Sequence, residues 1–217
     1  MAAIVDGDTL RLKNGKRIRI IGIDTPELGR DGRPDAPYAQ AARTALVELV
    51  TASENRVYLR PGIEPRDRHR RQLSHVYSAQ GHNLTVELLR RGLGYQVVVA
   101  PNVNDLACYQ AAEHYARQRG LGLWGRELPD AAQMGQAEAG FHLLRGLVES
   151  LGGSRDAVWL NLRGGIAIKV PRAVWQEMTT REPADFKGRR LEVRGWFYRH
   201  KGRLKLTLSH ATAIRWL

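Results

Sequence analysis

The chain is poor in thiols: of 217 residues only Cys108 is a cysteine. That excludes an internal disulfide framework and a zinc site built from cysteines. Cys108 itself lies in a helical pattern and reads as a small core residue. No stretch approaches the roughly 18 consecutive apolar residues of a membrane-spanning helix. The opening "MAAIV" also lacks the basic start and long apolar run of a secretory signal. Fixed-period repeats and low-complexity tracts are absent, so the sequence describes an ordinary globular protein with no membrane contact. The seven histidines form no pair at ligand spacing, which leaves them as surface or packing residues.

Acidic residues are the scarcer charge. Lys and Arg number 34 against 22 Asp and Glu, a net charge of +12, and such an excess favours an anionic polymer as partner. The excess is uneven: residues 141–217 hold 15 Lys and Arg against 6 Asp and Glu, which is +9 of the +12. The back of the chain is therefore its most basic part, while the carboxylates able to do chemistry gather at the front.

Turn residues at "DGD" and "KNGK" separate short alternating runs, which predicts a meander of antiparallel strands at the start. From Ala36 the apolar residues fall at helical spacing and predict a helix over 36–52. Two further strands follow, in "RVYLRPG" and "RRQLSHVYSAQGHN". A short helix is expected with Asn83 as N-cap and Gly92 as stop, then a longer one ending at Gly120. The periodicity fades over 127–139, which reads as a linker. Residues 140–217 alternate with period two between turns at "LGGS", "RGG" and "HKG". About five short strands and a small helix fit a barrel of the OB type. The expected class is mainly β with helices (α+β): two OB-like barrels in tandem, over 1–126 and 140–217.

In "RIIGIDTPELGR" an apolar strand is bracketed by Arg19 on one side and by Asp24, Thr25 and Glu27 on the other. Asp6 and Asp8 occupy the "VDGDT" turn, and antiparallel pairing of the first strands can bring that turn to the end of the strand that carries Asp24. Two or three carboxylates with a carbonyl make an all-oxygen site, which suits Ca²⁺ or Mg²⁺ and not zinc. Taken singly, each carboxylate reads equally well as a turn or surface residue.

Five stretches, "VDGDTLRL", "RIRIIGIDTPE", "DRHRRQLSHVY", "LLRRGLGYQ" and "LGLWG", occur in the order and spacing of the staphylococcal nuclease family. The resemblance covers about Ala3 to Arg126 and implies a five-stranded OB barrel with three helices. It also implies that Asp6, Asp24 and the Thr25 carbonyl bind Ca²⁺, with Asp8 nearby but not a ligand. Glu27 matches the general base, or the group that orients the attacking water. Arg19 and Arg71 match the arginines that hold the scissile phosphate. For Arg71 the neighbours Arg68 and Arg70 are alternatives, and the spacing to Leu73, Val76 and Tyr77 favours Arg71. Arg70 stands where the family usually has glycine, and Val97 and Val99 stand where well-known members have tyrosines flanking the nucleotide. The chain begins five residues before Asp6, so a first strand shorter than the family's is expected, from a truncated or processed N-terminus.

In the back domain, Leu191, Val193 and Phe197 alternate with Arg190, Arg194, Trp196 and Tyr198. Beyond the "HKG" turn, Leu204, Leu206 and Leu208 alternate with Arg203, Lys205 and Thr207. A hairpin would bury one face and present cations and aromatic rings on the other, as a single-strand-binding barrel needs. The same pairs also stabilise hairpins that bind nothing. Trp159, Trp175 and Trp216 read as core or interface residues.

The reading is a Ca²⁺-dependent nuclease acting on DNA and RNA, with single strands preferred. By resemblance it leaves 3′-phosphate ends, and the basic back domain helps to hold the substrate. A nucleic-acid-binding module without catalysis is the alternative; a back domain that binds a protein is a third. A monomer, secreted or periplasmic once any signal is removed, is expected.

Overall fold

The computed structural model describes residues 3–67, 69–135 and 137–217. Arg68, expected on the loop before Arg71, lies outside the described residues. The chain divides into two units, Met1–Arg126 and Glu127–Leu217.

Alternation in the opening residues gives β1 (Ala3–Ile4), β2 (Thr9–Arg11) and β3 (Arg17–Ile20), paired antiparallel as the two turns predict. After β4 (Ile23–Asp24), helix α1 runs over Ala39–Ala52. It starts three residues later than the periodicity predicts, because Tyr38 adopts a left-handed conformation with φ 70° that cannot continue a helix. Strand β5 (Tyr58–Arg66) pairs antiparallel with β6 (Gln72–Tyr77), and β6 lies parallel to β3. The sheet order is β1-β2-β3-β6-β5. Helix α2 (Leu84–Arg90), strand β7 (Tyr95–Gln96) and helix α3 (Leu106–Gln118) complete the unit.

Asn83 caps α2 as expected, its side chain accepting from the N–H groups of Thr85 and Val86. Leu10, Ile18 and Ile20 from the sheet pack with Leu46 of α1 and Leu88 and Leu89 of α2, all at most 1% exposed. Each such side chain contributes about 1.5 to 3 kcal/mol on burial. Cys108, read as a core residue, is instead exposed on α3.

The second unit is a closed five-stranded barrel. Strands β8 (Gly140–Gly153), β9 (Ala157–Leu162) and β10 (Ala167–Pro171) form an antiparallel meander. Strand β11 (Arg190–His200) returns beside β8 and turns at the predicted "HKG" into β12 (Arg203–Thr207). Closure comes from β12, which pairs antiparallel with β11 and parallel with β10. A last strand, β13 (Ile214–Trp216), extends β11 on its other edge.

Helix α4 (Arg172–Met178) and the short 3₁₀ turn Pro183–Phe186 add aromatic packing. The rings of Trp175 and Phe186 meet edge to face at 5.2 Å, and Phe186 lies 4.3 Å from the Trp216 ring. Trp175 is thus a core residue and the half-buried Trp216 packs against the core, whereas Trp159 is half-buried on the outer face of β9. Within the stretch read as a linker, Asp130 caps a 3₁₀ turn at Ala131–Gln133, and the fully buried Ala131 joins the barrel core.

One glycine decides where β4 goes. Gly22 has φ 89°, and a Cβ there would lie 2.2 Å from the Tyr109 ring. Its carbonyl accepts from Val97 N–H at 3.1 Å, and the Ile21 carbonyl accepts from the Thr85 hydroxyl at 2.8 Å. The turn that delivers Asp24 is therefore pinned to β7 and α2. Replacing Gly22 by Ala adds left-handed strain and an overpacked ring, together about 2 to 5 kcal/mol. Chemical denaturation of the Gly22→Ala variant checks this; a loss below about 1 kcal/mol would contradict it.

Candidate active site

The carboxylates of the first unit converge on Arg19. Its Nη2 donates to Asp24 Oδ1 at 2.7 Å and lies 3.1 Å from Asp8 Oδ2. Its Nη1 donates to the carbonyls of Ile20 and Ile23 at 2.9 and 2.8 Å. The guanidinium is thus fixed by four contacts, three across the β3–β4 turn and one to the β1–β2 turn. Asp8 does more than lie nearby: its Oδ2 accepts from Thr25 N–H at 2.9 Å and from the Thr25 hydroxyl at 3.2 Å. Asp8 Oδ1 accepts from the Thr9 hydroxyl at 3.1 Å. Asp6 Oδ1 accepts from the backbone N–H of Asp8 at 3.1 Å, a local turn bond.

These groups are crowded and dry. Burial pushes Asp6 up to about 6, with Asp8 and Glu27 adding repulsion. Asp24 is pushed up to about 7 by burial, against the pull of Arg19 and with repulsion from Asp8 and Glu27. Arg19 is raised above its ordinary value, because Asp8, Asp24, Asp6 and Glu27 outweigh its burial. Glu27 itself is exposed, close enough for its charge to act on all three. Among the described residues no group of three or more His, Cys, Asp and Glu is arranged to hold a metal ion. The donors present are two or three carboxylates and backbone carbonyls, all hard oxygens.

Arg71 reaches the same place from the loop residue just before β6. Its Nε donates to Asp67 Oδ2 at 2.6 Å, and its Nη1 is 3.5 Å from the Thr9 hydroxyl. Asp67 also accepts from the backbone N–H groups of His69 and Arg71, both at 2.9 Å. Partial burial works against ionisation of Asp67, yet the bonds from Arg71 and His69 hold its carboxyl below the usual range. One thread of contacts therefore joins Arg71 to Thr9, Asp8, Arg19 and Asp24. Arg70, in the position expected to be glycine, has φ 62°, the left-handed conformation a glycine would adopt without strain.

In the second unit the expected binding residues part company. Trp196 and Tyr198 are 45% and 42% exposed, and Arg203 is exposed with Lys205 half-buried. Arg190 pairs with Asp130 at 3.8 Å. Arg194 is only 9% exposed, which corrects its placement on an open face. Alternation predicts which side of a strand a residue is on, but not what covers that side: Glu192, on the same side, is 2% exposed.

Sequence reasoning passed over Asp67, although an acid four residues before an arginine in a loop is a pattern for gripping the guanidinium. It also undervalued Asp8, since a "DGD" turn does not reveal which carboxylate faces inward.

Residues 17–126 match the model of the family described as staphylococcal nuclease homologue. The chain is 32% identical over 126 residues to "Thermonuclease" of Staphylococcus intermedius, covering 57% of this chain and 73% of that protein. It is 32% identical over 121 residues to "Probable endonuclease lcl3" of Neosartorya fischeri, covering 49% of this chain and 39% of that one. A third relative, "Endonuclease YhcR" of Bacillus subtilis, is 27% identical over 136 residues, 58% of this chain and only 11% of the relative. The chain thus spans well under two thirds of the latter two.

The strained Arg70 gives a prediction. Arg70→Gly removes a left-handed side chain that costs about 1 to 2 kcal/mol and returns part of that gain as unfolded-state entropy. Thermal unfolding is expected to show a variant as stable as the wild type or more stable, by up to about 1 kcal/mol. A clear loss of stability would contradict it.

Proposed function

The chain belongs to the staphylococcal nuclease family, and on that premise we propose that it is a Ca²⁺-dependent nuclease hydrolysing phosphodiester bonds of DNA and RNA. The observation that carries the reading is the buried network of Arg19 with Asp8 and Asp24 beside Arg71. The donor set fits a hard cation: all ligating atoms are oxygen, and the carboxylates lie buried together with too little positive charge. Asp24 and the Thr25 carbonyl would hold it. For the second carboxylate the geometry supports Asp8 over Asp6, since Asp8 and Asp24 share one nitrogen of Arg19 while Asp6 is engaged with its own turn. Ca²⁺, when bound, supplies positive charge against the oxygens of the phosphoryl group.

The remaining chemistry falls to the chain. Glu27 accepts a proton from water as its oxygen bonds to phosphorus, and the P–O5′ bond breaks to leave a 3′-phosphate and a 5′-hydroxyl protonated from solvent. Arg19 and Arg71 neutralise the negative charge that grows on the phosphoryl oxygens, which a planar, always protonated fork does well. Asp67 holds Arg71 by Nε, so that its terminal nitrogens face the phosphate. The second unit, whose residues 141–217 hold 15 Lys and Arg against 6 Asp and Glu, helps to hold the substrate and favours single strands. Such an enzyme acts where calcium is plentiful and host nucleic acid is not, in the periplasm or outside the cell.

Cleavage of a fluorescent single-stranded DNA with Ca²⁺, with Mg²⁺ and with chelator tests this reading. Calcium-dependent cutting is expected, with Glu27→Gln and Arg71→Ala each slower by roughly 10²- to 10⁴-fold. A wild type that binds the DNA but cuts it in neither metal would contradict the proposal and leave a binding module.

A further inference from the structure

We propose that the second unit holds single-stranded nucleic acid in a groove centred on Trp159, whose indole stacks on a base while Lys205 and Arg203 meet the phosphates. This deepens the reading of that unit as a nucleic-acid holder and rests on it. The groove encloses about 630 Å³ and is formed by β9, β10, β12 and the β11–β12 turn. Its polar lining is Trp159, Asn161, His200, Lys201, Arg203 and Lys205, with no Asp or Glu among the groove residues. That one-sided charge suits a polyanion.

Strand register explains why these side chains share a face. Tyr198, Lys205, Ala167 and Asn161 lie directly opposite one another across four strands. Spaced about 4.8 Å per strand, they make a row roughly 14 Å long. Trp159 sits two residues from Asn161 on β9, hence on the same side, opposite Lys169. Ala167, together with Gly152 and Gly153, gives the groove its low floor. The walls are cationic and aromatic: Lys205 Nζ lies 5.3 Å from the centroid of the Trp159 ring. A ring for a base beside an ammonium for its phosphate is the pairing that holds single strands without reading their sequence.

Other parts of the unit fit less well. Trp196 is packed edge to face on Phe141 at 5.2 Å, Arg190 is paired with Asp130, and Arg194 is buried. In barrels of this connectivity, the second and third strands and the turn between the fourth and fifth are where oligonucleotides bind. Here those are β9, β10 and the His200–Arg203 turn. The sequence carried the signal: Val158, Leu160 and Leu162 point to the core, so Trp159 and Asn161 point out.

Fluorescence anisotropy tests the groove on the full chain in chelator, which separates binding from cleavage. The probes are labelled oligothymidylate of about 12 nucleotides, within the site sizes of such barrels, and an abasic strand with the same phosphates. Trp159→Ala is expected to weaken oligothymidylate binding about tenfold and to erase the preference over the abasic strand, while Trp159→Phe keeps both. Arg203→Ala with Lys205→Ala is expected to flatten the dependence of log affinity on log salt by about 0.7 per phosphate lost.

Folded Trp159→Ala protein that binds oligothymidylate within twofold of the wild type would overturn the groove. Should that variant unfold, an unchanged salt slope in the folded Arg203→Ala, Lys205→Ala protein would overturn it instead. A wild type that binds through Trp159 but never cuts would contradict the nuclease reading and leave the groove standing.

Discussion

The site depends on one guanidinium that has more negative neighbours than it can neutralise. Arg19 feels four carboxylates, those of Asp8, Asp24, Asp6 and Glu27, and touches two of them directly. In a partly dry setting each unpaired negative charge is costly, which is why burial and mutual repulsion lift Asp6 and Asp24 so far. One arginine orients these groups but leaves a deficit of positive charge. On the proposed reading a divalent cation would supply the missing positive charge. The fold thus holds a site that is electrostatically incomplete on its own, a state that marks functional sites more often than structural ones.

The barrel makes this affordable by fixing every member on a strand end or a tight turn. Asp6 and Asp8 lie in the β1–β2 turn, Arg19 on β3, Asp24 on β4 and Arg71 just before β6. The parallel pairing of β3 with β6 brings Arg71 to the Arg19 side, and Gly22 turns β4 back toward Asp8. The second barrel uses the same strand connectivity, but it closes and fills its interior with aliphatic and aromatic side chains.

Much of this was legible from residues alone. Asn83 announces its helix because a short side-chain acceptor before an apolar run has one common use, and "HKG" announces its hairpin in the same way. Arg19, Asp24 and Glu27 stood out because they bracket one apolar strand, whereas Arg71 was expected only from the resemblance to the staphylococcal nuclease family. What the sequence left open is orientation and cover. It does not say which aspartate of "DGD" turns inward, since both suit the turn. Alternation set Arg194 on the outer side of its strand without showing that this side is closed. Trp159 went the other way: its large apolar ring invited a core assignment, although its neighbours Val158 and Leu160 already claim the interior. Ala131 shows how a weakly patterned stretch can still hold one buried anchor.

The most direct measurement is thermal unfolding with Ca²⁺ and with chelator, for the wild type and for Asp6→Asn, Asp8→Asn and Asp24→Asn. A cation bound only by the folded chain stabilises it, by about 2.7 kcal/mol at a hundredfold excess over Kd. The account predicts a calcium-dependent rise in Tm for the wild type and Asp6→Asn, and none for Asp8→Asn or Asp24→Asn. No calcium effect on the wild type, or an effect that survives in Asp8→Asn and vanishes in Asp6→Asn, would contradict it.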